Sequence, residues 1–203
     1  MVKSHGKTLM PHGDPSRHLS TGDIERAAAA LSPAPRDRGR LEAIIRRLPG
    51  GSREMLQTSA LSVEEGVPGD DWHLRPPREQ DAQLAVMQFD LARLIAGEQS
   101  ILLFGDQLFV DLDLASDSLP TDSLIQVGTA RVRVTAKPHN GCLKFKECFG
   151  LDALKFVSDP TKRSLNRRGV YWRVVEAGHV NVGDAVEVIS RPNAAGDSRG
   201  SGS

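Results

Sequence analysis

Aromatic residues make up only 4% of this 203-residue chain, and its formal net charge is zero. With so few aromatics there is little to stack bases on. With no net charge there is no global attraction to nucleic acid or to an anionic membrane surface. Neither is an expected partner. No apolar run approaches the roughly 20 residues that a membrane-spanning helix requires. The segment Met1–Ser16 is polar and lacks the apolar core of a secretion signal. The two cysteines, Cys142 and Cys148, lie six residues apart in a stretch that reads as helix, which places them poorly for a disulfide. A reducing cytoplasmic setting is therefore expected. Nothing in the chain fixes an oligomeric state.

What is present is ordinary for a globular domain: 39% hydrophobic and 26% charged residues. A flexible tail is expected over 1–16, one domain over 17–192, and a disordered Gly/Ser-rich tail over 193–203. Ser20 can cap a short helix through Ile24 and the Ala27–Leu31 run, stopped by Ser32-Pro-Ala-Pro35. Leu41–Leu48 fits a strand or a short helix; the return through Pro49-Gly-Gly51 into Arg53–Val63 favours a strand in a hairpin. The spacing of Leu84, Met87, Leu91 and Leu94 predicts one helix ending at Gly97. Ile101–Phe104 reads as a short strand and Leu108–Leu114 as another. In the latter, Asp111 and Asp113 fit a solvated face better than a cation site, since nothing else stands at matching spacing. Val170–Glu176 and Ala185–Ile189 complete the strands. Short strands, glycine turns and few helices predict a mainly β (α+β) fold, a closed β-barrel with peripheral helices.

The stretch Lys137-Pro-His-Asn-Gly-Cys-Leu-Lys-Phe145 carries the most chemistry. The period-two run Gln126–Thr135 predicts a half-buried strand before it. Phe145 and Phe149, four apart, predict a helix after it. Cys142 then stands at a strand-to-helix junction, near a helix dipole and close to Lys144, Lys146 and His139, surroundings that favour a thiolate. The alternative is a small buried hydrophobe. Gly66–Trp72 is a second unusual stretch, a tight loop with Asp70, Asp71 and an indole, and such loops also hold ligands.

The order of these landmarks resembles the MOSC family, named for the C-terminal domain of molybdenum-cofactor sulfurase. The matching residues are Gly69-Asp70 with Trp72; Leu108–Leu114 followed by Leu119-Pro120; Val127-Gly128; and His139-Asn-Gly-Cys-Leu-Lys-Phe145. Phe149-Gly150, Arg168-Gly169-Val170, Val174-Val175, Gly178 and Val182-Gly183-Asp184 follow. They run across roughly 40–190 in the family's order. The resemblance implies a barrel like the small domain of pyruvate kinase and a site for a molybdenum–pterin cofactor. It implies Cys142 as the metal ligand or sulfur carrier. In a closed barrel His139 stands beside it as a hydrogen-bonding or proton-donating group, since an imidazole titrates close to neutral pH, or else is a surface turn residue. The cofactor's phosphate turns Lys144, Arg167 and Arg168 into candidate contacts, together with Asn140, Asp70 and Trp72. Some relatives reduce N-hydroxylated compounds and others handle sulfur. An oxidoreductase with an external redox partner and a non-catalytic carrier or interaction protein are therefore both open.

The departures matter too. No aminotransferase-like module is present, so pyridoxal phosphate is not expected. There is no ferredoxin cysteine cluster or flavin motif, so reduction would need an outside donor. Leu103–Leu108 stands where longer relatives have an Arg-Pro-Asn stretch, so contacts cannot be carried over there. Cys148 reads as helix packing. If the barrel closes, Gly69–Trp72, His139–Cys142 and Arg167–Gly169 should meet at one mouth.

Overall fold

A computed structural model of the chain describes residues 12–74 and 76–192. The expected tail 193–203, and 1–11 of the N-terminal one, lie outside the described residues. The described end of that segment forms a 3-10 turn at Pro15–Arg17, held where the Asp14 N–H donates to Gln99 Oε1.

Helix α1 (Thr21–Ala29) begins where Ser20 Oγ accepts from the Asp23 N–H, as its sequence predicts. Strand β1 (Arg38–Arg47) turns through Pro49–Gly51 into β2 (Arg53–Leu56), and the two pair antiparallel. The expected second arm then leaves the hairpin. Its continuation, β3 (Thr58–Leu61), pairs instead with β9 (Gly178–Asn181). The remaining elements are α2 (Asp71–Leu74), β4 (Leu84–Gln88), α3 (Phe89–Ala96), β5 (Leu108–Asp111), β6 (Leu124–Val127), β7 (Ala130–Val134), α4 (Leu143–Val157), β8 (Val170–Glu176) and β10 (Ala185–Ser190).

Seven strands close into a barrel in the order β1-β10-β6-β7-β8-β4-β5 and back to β1. The length of β1 makes closure possible: its first part pairs with β10 and its last part with β2, while β5 lies along its other edge. All neighbours are antiparallel except β4 and β5. Parallel strands need a crossover connection, and α3 supplies it.

Three expectations change. Leu84–Gly97 is a strand followed by a helix, not one helix. Both faces of β4 are buried, so its run is continuously apolar and its period cannot be read. Ile101–Leu103 is a 3-10 turn capped by Ser100, not a strand. Gln126–Thr135 is not one strand but belongs to a hairpin, β6 and β7, that turns at Gly128-Thr129 with Gly128 at φ 53°.

The core has two layers. Leu41, Ile44, Leu84, Val86, Leu108, Val110, Ile125, Val132 and Trp172 fill the barrel interior. Ala43, Ile45, Met87 and Phe109, pointing outward from the same strands, pack against Ile24, Ile95, Phe104, Phe145, Phe149 and Phe156 of the peripheral segments. This second layer seats α4 against the barrel wall. α4 is broken at Gly150 (φ 89°), beneath His18, and the Thr21 N–H donates to Asp152, so the N-terminal segment grips the same helix. No helix among the described residues is long and apolar enough to cross a membrane.

Candidate functional site

One end of the barrel carries a cleft of about 250 Å³. Its lining comes from the end of β1 and the start of β2 (Arg47, Arg53), from Asp71, from the loop before β5 (Phe104, Gly105), and from His139, Asn140, Cys142 and Lys144. Arg168 and Tyr171 complete it.

Cys142 is the N-cap residue of α4 and is exposed. Two tethers hold the loop before it: Lys137 Nζ pairs with Glu79, and Thr135 Oγ1 donates to the Asp81 carbonyl. Cys148 is buried, so it packs the helix as its sequence predicts. Lys144 and Asn140 are exposed at the cleft.

Two carboxylates lie beneath the lining, both with no exposure to solvent. Asp70 accepts from the Arg47 guanidinium (Nη2 at 2.6 Å), from the Arg47 and Trp72 backbone N–H groups, and from Gln107. Asp106 accepts from Arg168 Nη1 with both oxygens at 2.9 Å. Each carboxylate therefore neutralises one cation of the lining. Arg53, by contrast, donates to the Leu102 carbonyl and has no carboxylate in ion-pair reach among the described residues. Burial lowers its pKa from the ordinary arginine value. Among the described residues, Arg53 and Lys144 line the cleft without a carboxylate in ion-pair reach.

The His139 ring is stacked on Tyr171 with centroids 4.3 Å apart, and its side chain is 5% exposed. Its Nδ1 is sealed and without a hydrogen-bond partner, and Asp106 Oδ1 lies 3.6 Å away. Burial, reinforced by the Arg168 charge and opposed by Asp106, pulls the pKa from 6.5 to about 3. The imidazole is neutral at neutral pH, which corrects the expectation that it titrates there. The sign of the pH effect follows. Below about pH 6.5 the unfolded chain binds a proton that the fold refuses until far lower pH, so stability is full above that value and drains as pH falls. Urea midpoints measured from about pH 7.5 down to about pH 4.5 should therefore fall less steeply for His139→Gln than for the parent. Parallel slopes would show that His139 takes up no proton on unfolding.

Not every residue singled out from the sequence reaches the cleft. Of the three segments expected to converge, Asp71, His139, Asn140, Cys142 and Arg168 do so. Asp70 turns inward to Arg47 and is not part of the lining. Trp72 is half-buried on α2 and is not part of the lining. Arg167 lies over the Phe156 ring at 4.0 Å and lines a neighbouring concavity that shares His139, Asn140 and Arg168 with the cleft. Arg47, Arg53, Asp106 and Tyr171 were not anticipated. The available signal for the first two was the placement of arginines on both sides of a Pro-Gly-Gly turn.

A family model described as the MOSC domain matches residues 90–187. This span includes Asp106, His139, Cys142, Lys144 and Arg168, whereas Arg47, Arg53 and Asp71 precede it. Among solved structures, the YuaD protein of Bacillus subtilis is 18% identical with a TM-score of 0.55, over 74% of this chain and 95% of its own. YiiM from Geobacillus stearothermophilus is 18% identical with a TM-score of 0.55, over 75% and 76%. YiiM from Escherichia coli is 19% identical with a TM-score of 0.51, over 75% and 71%. At these identities the likeness is one of fold. No curated protein matches the chain. Over residues 90–187 the match to the domain model, on a barrel of this architecture, bears out the resemblance of the chain to the MOSC family.

Proposed function

We propose that the cleft binds a molybdenum–pterin cofactor with Cys142 as the protein's ligand to the metal. On this reading the chain is an oxidoreductase that reduces N-hydroxylated compounds with electrons from an external partner. The observation that carries the reading is an exposed cysteine at the mouth of a cleft lined by Arg47, Arg53, Lys144 and Arg168. The donor set fits such a group. Among the described residues no cluster of three His, Cys, Asp or Glu could hold a bare metal ion. A metal at Cys142 must therefore bring most of its ligands with it, as a pterin-borne metal does, and a thiolate suits a soft metal centre. Arg53 and Lys144 would meet the cofactor's phosphate. Arg47 and Arg168, already paired, would present a rigid wall rather than free charge. When bound, the cofactor would supply the redox chemistry. The chain's part is to seat it, orient it and keep water from its buried side.

The test is molybdenum and pterin content of protein made in a host with an intact cofactor pathway. Cys142→Ser should lower molybdenum per chain at least about tenfold, since one metal–ligand contact is worth that much or more, with folding unchanged. Cys148→Ala should keep its metal. Equal loss from both variants, or from neither, would end the assignment. The exposure of Cys142 also suits a second reading, sulfur carriage without catalysis. That reading predicts protein free of molybdenum, with a mass gain of one sulfur atom that Cys142→Ser abolishes.

A further inference from the structure

We propose that Asp106 is a positioning residue that holds His139 as its Nδ1–H tautomer, leaving Nε2 as the acceptor that this cleft-lining imidazole offers to an N–H, O–H or S–H group of the bound molecule. The inference takes the cleft to be a ligand site, as above, but does not depend on which ligand it holds.

The geometry is specific. Asp106 sits in the short loop that leads into β5, with no exposure to solvent. Its two oxygens each accept from Arg168 Nη1, yet a carboxylate has about four acceptor positions, so capacity remains. Of the two His139 ring nitrogens, only Nδ1 is both fully sealed and without a partner, and Asp106 Oδ1 lies 3.6 Å from it. That separation is longer than a hydrogen bond. It nevertheless decides the tautomer, because a lone pair on Nδ1 would face a negative oxygen whereas an N–H would be drawn to it. Contacts of this kind are often long before a ligand binds and tighten afterwards. Stacking on Tyr171, with the ring planes 34° apart, restrains the imidazole from turning away. A neutral imidazole has one donor and one acceptor, so a proton on Nδ1 leaves the Nε2 lone pair as the acceptor. Arg168, beside it, can only donate. The two groups together select a ligand edge that carries a donor next to an acceptor.

The experiment is a long-range proton–nitrogen correlation spectrum of 15N-labelled, cofactor-free protein, with His139→Gln identifying the signal. A pyrrole-type Nδ1 and a pyridine-type Nε2 are expected as the major form. In Asp106→Asn with the fold intact, the signals should move toward the Nε2–H form. An Nε2–H form in the parent protein, or unchanged signals in folded Asp106→Asn, would overturn the proposal. Should Asp106→Asn not fold, Asp106→Asn combined with Arg168→Met removes both charges of the buried pair and carries the same comparison. These spectra need no cofactor, so a failure here is separate from a failure of the cofactor reading.

Discussion

Replacing Arg168 with alanine is expected to cost the fold about 3 kcal/mol, read as a lower urea midpoint. The side chain is 7% exposed and its partner Asp106 is fully sealed, so solvent cannot take over the lost charge. Breaking a buried pair from one side leaves the other charge stranded, a loss of about 3–5 kcal/mol. The guanidinium also lies over the Phe145 ring at 5.1 Å, a contact worth about 1 kcal/mol. One term opposes these. Arg168 Nε is itself sealed without a partner, and its removal returns roughly 1–3 kcal/mol. The stranded carboxylate outweighs that gain, and the balance sits at the lower end of the range. Arg168→Met with Asp106→Leu removes both charges and should recover most of the loss, because an apolar pair of similar volume replaces an ionic one at little cost. If single and double variants lose the same amount, the stranded charge is not the cause and the pair is only packing.

This pair also marks the limit of what could be read from the chain itself. Strands show where one face is wet, as in Val170–Glu176, where Tyr171, Arg173 and Val175 alternate with buried Val170, Trp172 and Val174. They fail to show where both faces are covered. β4 has the barrel core on one side and the α3 layer on the other, so its residues satisfy helical and extended spacings alike. Cys142, Asn140 and Lys144 are legible because a single local stretch builds the turn and the helix start. Asp106 and Arg168 are 62 residues apart, and Arg47 and Asp70 are 23 apart, so neither pairing leaves a local trace. The same blindness produced the error over His139. Residue type alone predicts titration near neutral pH, whereas burial of the ring decides it.

Gly169→Ala should be the most damaging single-methyl change near the cleft, and Gly183→Ala shows why. Both glycines have left-handed backbone, φ 94° and φ 95°, where a side chain costs about 1–2 kcal/mol in strain. They differ in what surrounds them. A Cβ at Gly183 meets nothing within 4 Å, so strain is the whole cost there. A Cβ at Gly169 would lie 2.1 Å from the Val86 carbonyl oxygen and 3.3 Å from the Met87 Cα. Those are main-chain atoms of β4, paired on one side with β8 and on the other with β5, so they cannot step aside without breaking the barrel ladder. Overpacking of that kind adds about 1–3 kcal/mol. It should also displace the neighbouring Arg168 from Asp106. Urea unfolding of the two variants separates the terms. Gly169→Ala should lose at least about twice what Gly183→Ala loses. Equal losses would mean that β4 yields to the methyl and that the Gly169 backbone does not fix the position of Arg168.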